Sequence, residues 1–185
     1  MFKYIVDKDL ELKMLDINHA EALYDLTDAC RLYLRKWLPW VDDTKSVEDT
    51  KAFIEMTKKQ FASNHGFQAG IWYKQNLAGV IGYHKVDWAN KSTSIGYWLG
   101  KDYQGNGIMI RATKAFVEYA LTELNLNRVE IRCAEKNYKS RAIPERLGFT
   151  NEGISRETEW LYDHYVNHVI YGMLASQWKG VRSIS

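Results

Sequence analysis

Between Phe67 and Leu99 the chain reads as three strands in succession with almost nothing between them. Phe67–Tyr73, Leu77–Trp88 and Thr93–Leu99 are rich in aromatic and β-branched residues, which suit a pleated, half-buried surface. Only Lys74-Gln75-Asn76 and Ala89-Asn90-Lys91-Ser92 separate them, short polar connections of the kind that close hairpins. The middle of the chain is therefore strand-like, with its strands joined as hairpins. What flanks it decides the fold class.

Upstream, Leu10–Leu15 alternates apolar with charged residues and predicts a first strand. Asn18 with Glu21 gives a capping-box pattern, after which Leu23, Leu26, Cys30, Tyr33 and Trp37 recur at helical spacing. Ser46 with Asp49 predicts a second capped helix carrying Phe53, Ile54, Thr57 and Phe61, and Pro39 helps end the first. Downstream, a helix is predicted from about Ile108 to Leu124, with Met109, Ala112, Phe116, Tyr119, Ala120 and Leu124 on one face. A strand follows in which Val129, Ile131 and Cys133 alternate with Arg128, Glu130 and Arg132. A short helix is expected over Ser140–Leu147, then strands over Phe149–Leu161 and Tyr165–Leu174 with a turn near Asp163. The order βαα-βββ-α-β-α-ββ predicts an α/β (α+β) fold, a mixed sheet of about six to seven strands with about four helices packed on it. It is neither a Rossmann alternation nor an all-β sandwich. With no repeat, linker or low-complexity run, residues 1–185 read as one domain with its core over 10–174.

The formal charge is +2, with Lys and Arg scattered among Asp and Glu, so no basic stripe argues for nucleic acid. Cys30 and Cys133 lie far apart and form no metal-ligand spacing, and reduced, buried thiols are the expectation. The opening Met-Phe-Lys-Tyr-Ile-Val-Asp-Lys-Asp has no apolar core long enough for a signal peptide, so none is expected. Its longest stretch free of Lys, Arg, Asp and Glu, Tyr165–Trp178, falls short of the ~20 residues a membrane helix needs. A cytoplasmic protein without metal or membrane partner is expected. Seven Trp and twelve Tyr serve either the core or a ligand groove, and core packing leads.

Chemistry first suggests itself at Gln104-Gly105-Asn106-Gly107-Ile108-Met109, between a strand and a helix. Two glycines let the backbone turn tightly and approach a ligand. The helix that follows offers unpaired N–H groups and a positive dipole end, which together suit a pyrophosphate. Arg111 in the first turn would suit a phosphate too, or simply be solvated. Taken alone the hexapeptide is equally a strand–helix turn that needs glycine. It is not a P-loop, since no Gly-Lys-Ser/Thr follows, nor a dinucleotide fingerprint.

The second constellation is Asn137-Tyr138-Lys139-Ser140-Arg141-Ala142 with Leu147-Gly148-Phe149. Together with Ile95-Gly96-Tyr97-Trp98-Leu99 and Tyr103–Met109, it resembles the GNAT superfamily of N-acetyltransferases, and within it the RimJ/RimL group that acetylates ribosomal-protein N-termini. Gln104 and Gly107 match the superfamily pattern Gln/Arg-x-x-Gly-x-Gly/Ala, and Met109 departs as RimL-like members commonly do. Trp37-Leu38-Pro39-Trp40 resembles an aromatic segment of the same group, and the likeness runs from about Leu10 to Leu174.

The resemblance implies a GNAT fold, acetyl-CoA as cosubstrate, and direct transfer of its acetyl group to a primary amine. The amides of Gly105, Asn106, Gly107, Ile108 and Met109 would hold the pyrophosphate. The strand edge at Trp98 and Leu99 would pair with the pantetheine arm and supply an oxyanion donor. Asn137 would bond the pantetheine, and Ser140 would protonate the departing thiolate. Many members place a tyrosine seven positions after that Asn. Here Pro144 stands there, so the role moves to Ser140, whose alternative is a helix N-cap.

Tyr97 would orient the acceptor or fill the core, and Cys133 is expected to be an inert buried thiol. An α-amine has a pKa near ~8, so a modest base or a water relay suffices. The candidates are His84, Asp87, Glu130, Glu135, Glu157, Glu159 and His168, with His84 the choice for the site. An acceptor groove is expected between the first two helices and the closing hairpin, with Trp37, Trp40, Trp160 and Tyr162 as walls. A protein N-terminus is the leading acceptor, ahead of a polyamine or aminoglycoside. A non-catalytic CoA-binding module is the reading from another class, and a homo-oligomer is admitted.

Overall fold

In the computed structural model, which describes residues 2–180, one eight-stranded sheet runs through the molecule in the order β1-β2-β3-β4-β5-β6-β8-β7. The strands are β1 (Lys3–Ile5), β2 (Leu10–Met14), β3 (Gln68–Tyr73), β4 (Asn76–Asp87), β5 (Ser92–Leu99), β6 (Arg128–Ala134), β7 (Thr150–Leu161) and β8 (His164–Leu174). Five helices accompany them: α1 (Ala20–Ala29), α2 (Arg31–Arg35), α3 (Val47–Ala62), α4 (Ile108–Thr122) and α5 (Tyr138–Arg146). All neighbouring strands are antiparallel except β5 and β6, whose crossover is α4.

Strand and helix numbers exceed the sequence expectation by small, explicable amounts. β1 is three residues long, too short for alternation to register, and exists through its pairing with β2. The helical spacing from Leu23 to Trp37 is continuous in sequence, yet the helix breaks at Cys30, whose backbone bends to φ −112°, ψ 12°. There the Sγ accepts a hydrogen bond from the Lys101 N–H (3.3 Å), tying the bend to the segment after β5. α2 ends at Arg35, before Pro39 can act. The cap expected at Asn18 belongs instead to Asp16, which accepts from Asn18 N–H (3.2 Å) while its own N–H donates to His19 Nδ1 (2.9 Å). At α3 the expected box forms: the Asp49 carboxylate accepts from Ser46 N–H (2.9 Å).

α4 and α5 pack on one face of the sheet and α1–α3 on the other. The stripe Ile108, Met109, Ala112, Phe116 and Ala120 of α4 meets Ile81, Tyr83, Ile95, Ile131 and Tyr171 in the larger core. Burying a side chain such as Phe116 contributes about 2–3 kcal/mol. On the opposite face Leu15, Ala20, Leu23 and Ile54 close over Val80. Alternation along β5 therefore sends Tyr97 and Leu99 towards α4 and α5, and Trp98 towards α1 and α2.

One feature of the sheet makes room for a ligand. β5 and β6 pair at only three positions, Ser92 with Arg128, Thr93 with Val129 and Ser94 with Glu130. Beyond them β5 continues to Leu99 and β6 to Ala134 without pairing, so a wedge opens between parallel strands.

Candidate active site

The wedge leads into a cleft of about 810 Å³. Its lining includes Tyr97, Trp98, Leu99, Gln104, Gly105, Gly107, Ile108, Met109, Asn137 and Ser140, so most residues singled out in the sequence meet there. Asn106 and His84 are not among them.

The glycine loop is shaped as its sequence requires. Gly105 (φ +79°) and Gly107 (φ +63°) take left-handed conformations, and a Cβ on either would meet no atom within 4 Å. The loop is bare towards open space, as a cradle for a bulky anion must be. Main-chain bonding in α4 starts with Arg111 N–H to Gly107 C=O (3.4 Å), which leaves the N–H groups of Ile108, Met109 and Ile110 without a helical acceptor. Ile108 and Met109 contribute these amides only, because their side chains are in the core.

Asn106 folds the loop from within, its amide donating to the carbonyls of Tyr103 (3.1 Å) and Gln104 (3.3 Å). Arg111 is neither a free phosphate ligand nor simply solvated. It donates to the carbonyls of Gly107 (3.0 Å) and Asn106 (3.2 Å) and pairs with Asp7, pinning the loop to the segment between β1 and β2. Burial opposes ionisation of Asp7, but the Asp9 N–H and the Arg111 guanidinium outweigh it and hold the carboxyl below its usual range. Gln104 links both walls of the cleft: its amide donates to the Tyr33 hydroxyl of α2, and its carbonyl accepts from Lys139 Nζ of α5 (3.1 Å).

Along the wedge, main-chain orientation follows from one contact. Gly100 N–H donates to Ala78 C=O (2.8 Å), and the register pairs Val80 with Trp98 and Ile81 with Tyr97. Bonded and non-bonded positions alternate in antiparallel pairs. The main chain of Trp98 therefore turns to β4, whereas Tyr97 and Leu99 present theirs to the wedge. Of the two residues expected at the open edge, Leu99 is there, and Tyr97 takes the place of Trp98, whose indole instead packs near Trp40 (5.9 Å between rings).

At the far side of the wedge, α5 starts at Tyr138, two residues before the expected start, and its N-cap is Asn137, not Ser140. Asn137 Oδ1 accepts from Ser140 N–H (3.3 Å), which leaves the amide Nδ2 free for a ligand among the described residues. Ser140 Oγ lies 3.5 Å from Tyr97 Oη, at the limit of hydrogen bonding, and donates to Cys133 Sγ (3.4 Å), a weak acceptor, so the hydroxyl is lightly held. Burial raises both the Cys133 thiol and the Tyr97 phenol above their ordinary ranges, so both are neutral. The phenol donates to the Ser140 main-chain carbonyl (2.9 Å).

His84 lies on the face of β4 opposite Tyr83 and lines neither the cleft nor the second cavity described below. Its Nδ1 meets Ser94 Oγ (3.0 Å), and its ring fills the space that a Cβ on Gly96 would need, 2.4 Å away. That ring is the reason for glycine at position 96. Burial of part of the ring lowers the His84 pKa, so the imidazole is neutral at pH 7. Of the other base candidates, Glu130 is neutralised between Arg128 and Arg132, and Glu159 faces His168 (3.6 Å).

A second cavity of about 620 Å³ runs between α2 and the β7–β8 hairpin. Trp37 lines both it and the cleft, so the two spaces share a wall. Tyr162, Leu161, Val166, Glu135 and Glu157 also line it. Trp40 and Trp160 do not; Trp160 packs on Tyr165 at the hairpin surface (4.9 Å between rings). Tyr162 joins the two sides. Its hydroxyl donates to Leu38 C=O and accepts from Val41 N–H (3.2 Å), and the Arg35 guanidinium stacks on its ring (3.8 Å).

A wedge between parallel strands, a bare glycine loop at a helix start and an open groove beside them suit an acyl-CoA-dependent transferase. Comparison with known proteins agrees. Residues 9–150 match the family model described as an acetyltransferase (GNAT) domain, and the chain belongs to that family. It is 35% identical over 181 residues to YdaF of Bacillus subtilis (strain 168), provisionally named a ribosomal N-acetyltransferase, covering 97% of this chain and 99% of that one. It is 30% identical to the ribosomal-protein-serine acetyltransferase of Escherichia coli (strain K12), over 91% of this chain and 94% of the relative. Among solved structures it resembles RimL, a ribosomal L7/L12 α-N-protein acetyltransferase in complex with coenzyme A, with a TM-score of 0.90 at 27% identity, covering 94% and 98% of the two chains. The protein is an acetyl-CoA-dependent N-acetyltransferase of the GNAT fold. Among the described residues no helix is long and apolar enough to cross a membrane, and no group of His, Cys, Asp and Glu could hold a metal ion.

Proposed function

We propose that this enzyme acetylates the α-amine of a protein N-terminus, of the ribosomal-protein kind, in the cytoplasm, with residues 10–174 acting as one catalytic unit. The observation that carries the reading is the open groove of about 620 Å³ beside the cleft, walled by Trp37 and Tyr162, a volume that can take the first few residues of a chain. The names of the relatives point the same way.

The free amides at Gly105–Ile110 hold the pyrophosphate, and the Asn137 amide and the main chain of Tyr97 and Leu99 hold the arm that carries the thioester. One of those N–H groups accepts the charge that develops on the thioester oxygen as the amine adds. The Ser140 hydroxyl then gives its proton to the departing sulfur and regains one, through water, from the proton that the amine has released. His84, whose pKa is lowered by the desolvation of its ring against Gly96, is assigned the amine proton; it lines neither cavity, so the assignment requires a water relay. In His84→Gln the acid-side limb of kcat/KM that imidazole protonation sets should disappear; a pH profile identical to wild type removes His84 from the mechanism.

The polyamine alternative needs carboxylates gathered in the groove. Glu135, Glu157 and Asp163 do line the groove, but Arg35, Lys36 and Lys136 line it with them, while Asp42 is taken by Arg35 (2.8 Å) and Glu159 by His168, so the acidic groups are offset and a polycation is the less favoured acceptor. Acetyl transfer to N-terminal peptides, spermidine and an aminoglycoside, followed by thiol release, tests the choice. Turnover confined to either small amine overturns it.

Tyr162→Phe keeps the ring but leaves Leu38 C=O and Val41 N–H without their partner. We expect a rise of about threefold to tenfold in the acceptor KM, with acetyl-CoA affinity unchanged. Steady-state kinetics with each substrate varied in turn checks this.

A further inference from the structure

Pro144 sits at the seventh position of α5, where proline has no N–H to give to the carbonyl four residues earlier. That carbonyl belongs to Ser140, the residue placed above at the departing sulfur. A helix would ordinarily satisfy it, and a buried carbonyl left alone is costly. Here the donor comes from another element. Tyr97 on β5 reaches across the wedge, and its hydroxyl donates to Ser140 C=O at 2.9 Å. Tyr97 is half-buried overall, and its neutral phenol has one proton, which this carbonyl occupies.

We propose that Pro144 and Tyr97 are a pair of positioning residues: the proline empties an acceptor site on α5 so that the tyrosine can brace α5 against β5. The brace crosses the gap where the two parallel strands part company. It ties the helix turn that carries the proton donor to the strand whose main chain faces the thioester oxygen. The distance between those two groups is thereby fixed by a hydrogen bond rather than by packing alone. Misplacement of a reacting group by about 1 Å can cost on the order of a hundredfold in rate.

This rests on the reading of Ser140 as proton donor, and the test separates the two. Tyr97→Phe, Pro144→Ala and the double variant would be compared in melting temperature, acetyl-CoA affinity, kcat and acceptor KM. Tyr97→Phe strands the Ser140 carbonyl, so kcat should fall by about tenfold to a hundredfold, with acetyl-CoA affinity within about twofold of wild type. In the double variant the alanine that replaces Pro144 can supply the missing N–H, so the melting temperature should recover above that of Tyr97→Phe alone. Its kcat should stay low, because the helix is satisfied but the brace is absent. Additive melting shifts, or a Tyr97→Phe enzyme with wild-type kcat, would overturn the pairing. Non-additive melting with an inert Ser140→Ala substitution would keep the brace and discard the proton donor.

Discussion

Ser140→Ala is expected to lower kcat by about a hundredfold while acetyl-CoA binds as in wild type. The hydroxyl has no strong partner to lose: its neighbours Tyr97 Oη and Cys133 Sγ stand at 3.5 and 3.4 Å, and the Asn137 cap is made to the Ser140 main chain, which alanine retains. The fold should therefore tolerate the change, with a melting temperature close to that of the parent. What disappears is a proton source beside the sulfur. Cys133 cannot readily substitute, since burial raises its pKa and so weakens it as an acid, and it sits on the core side of β6. The loss should be steepest where release of an unprotonated thiolate is hardest. Single-turnover rates and titration calorimetry separate chemistry from binding, and an alanine enzyme with undiminished kcat would sink the assignment.

Gly107→Val should act on the other half of the reaction. At φ +63° a branched side chain is strained by roughly 1–2 kcal/mol, and the protein offers it nothing to pack against within 4 Å. It would project from the loop into the space where a pyrophosphate meets the amides of Ile108, Met109 and Ile110. Losing two charge-assisted hydrogen bonds, at about 1.5–3 kcal/mol each, corresponds to a rise in the acetyl-CoA Kd of about a hundredfold or more. The melting-temperature increase that CoA confers on the parent should vanish with it. Unaltered CoA affinity in this variant would mean that the anion sits elsewhere.

How much could be foreseen depends on how far apart the cooperating residues lie. The three central strands, the glycine loop and the Asn137–Ser140 turn are patterns complete within a few residues, and the structure has each of them. The break at Cys30 is invisible in the sequence because apolar spacing runs straight through it; its cause is a contact with Lys101, far along the chain. Arg111 could not be placed without Asp7, 104 positions away. Pro144 is the instructive case. That a proline there would free the Ser140 carbonyl can be read from spacing alone, but that Tyr97 would answer it could not. Asn106 and Trp98 each belong to the right segment, yet Asn106 folds its side chain back into the loop and Trp98 gives its main chain to β4, because a loop and a strand register decide orientation by geometry that composition does not record.

The parting of β5 from β6 has a consequence for how such an enzyme can change over time. A sheet that stops pairing halfway along leaves a vacant lane of peptide groups, and an arm that itself contains amides can fill it as an extra strand would. Grip of that kind is supplied by the polypeptide backbone, which every residue type shares. Side chains beside the lane are then at liberty to drift without loss of the common donor molecule, while the separate groove behind Trp37 is reshaped for one acceptor after another.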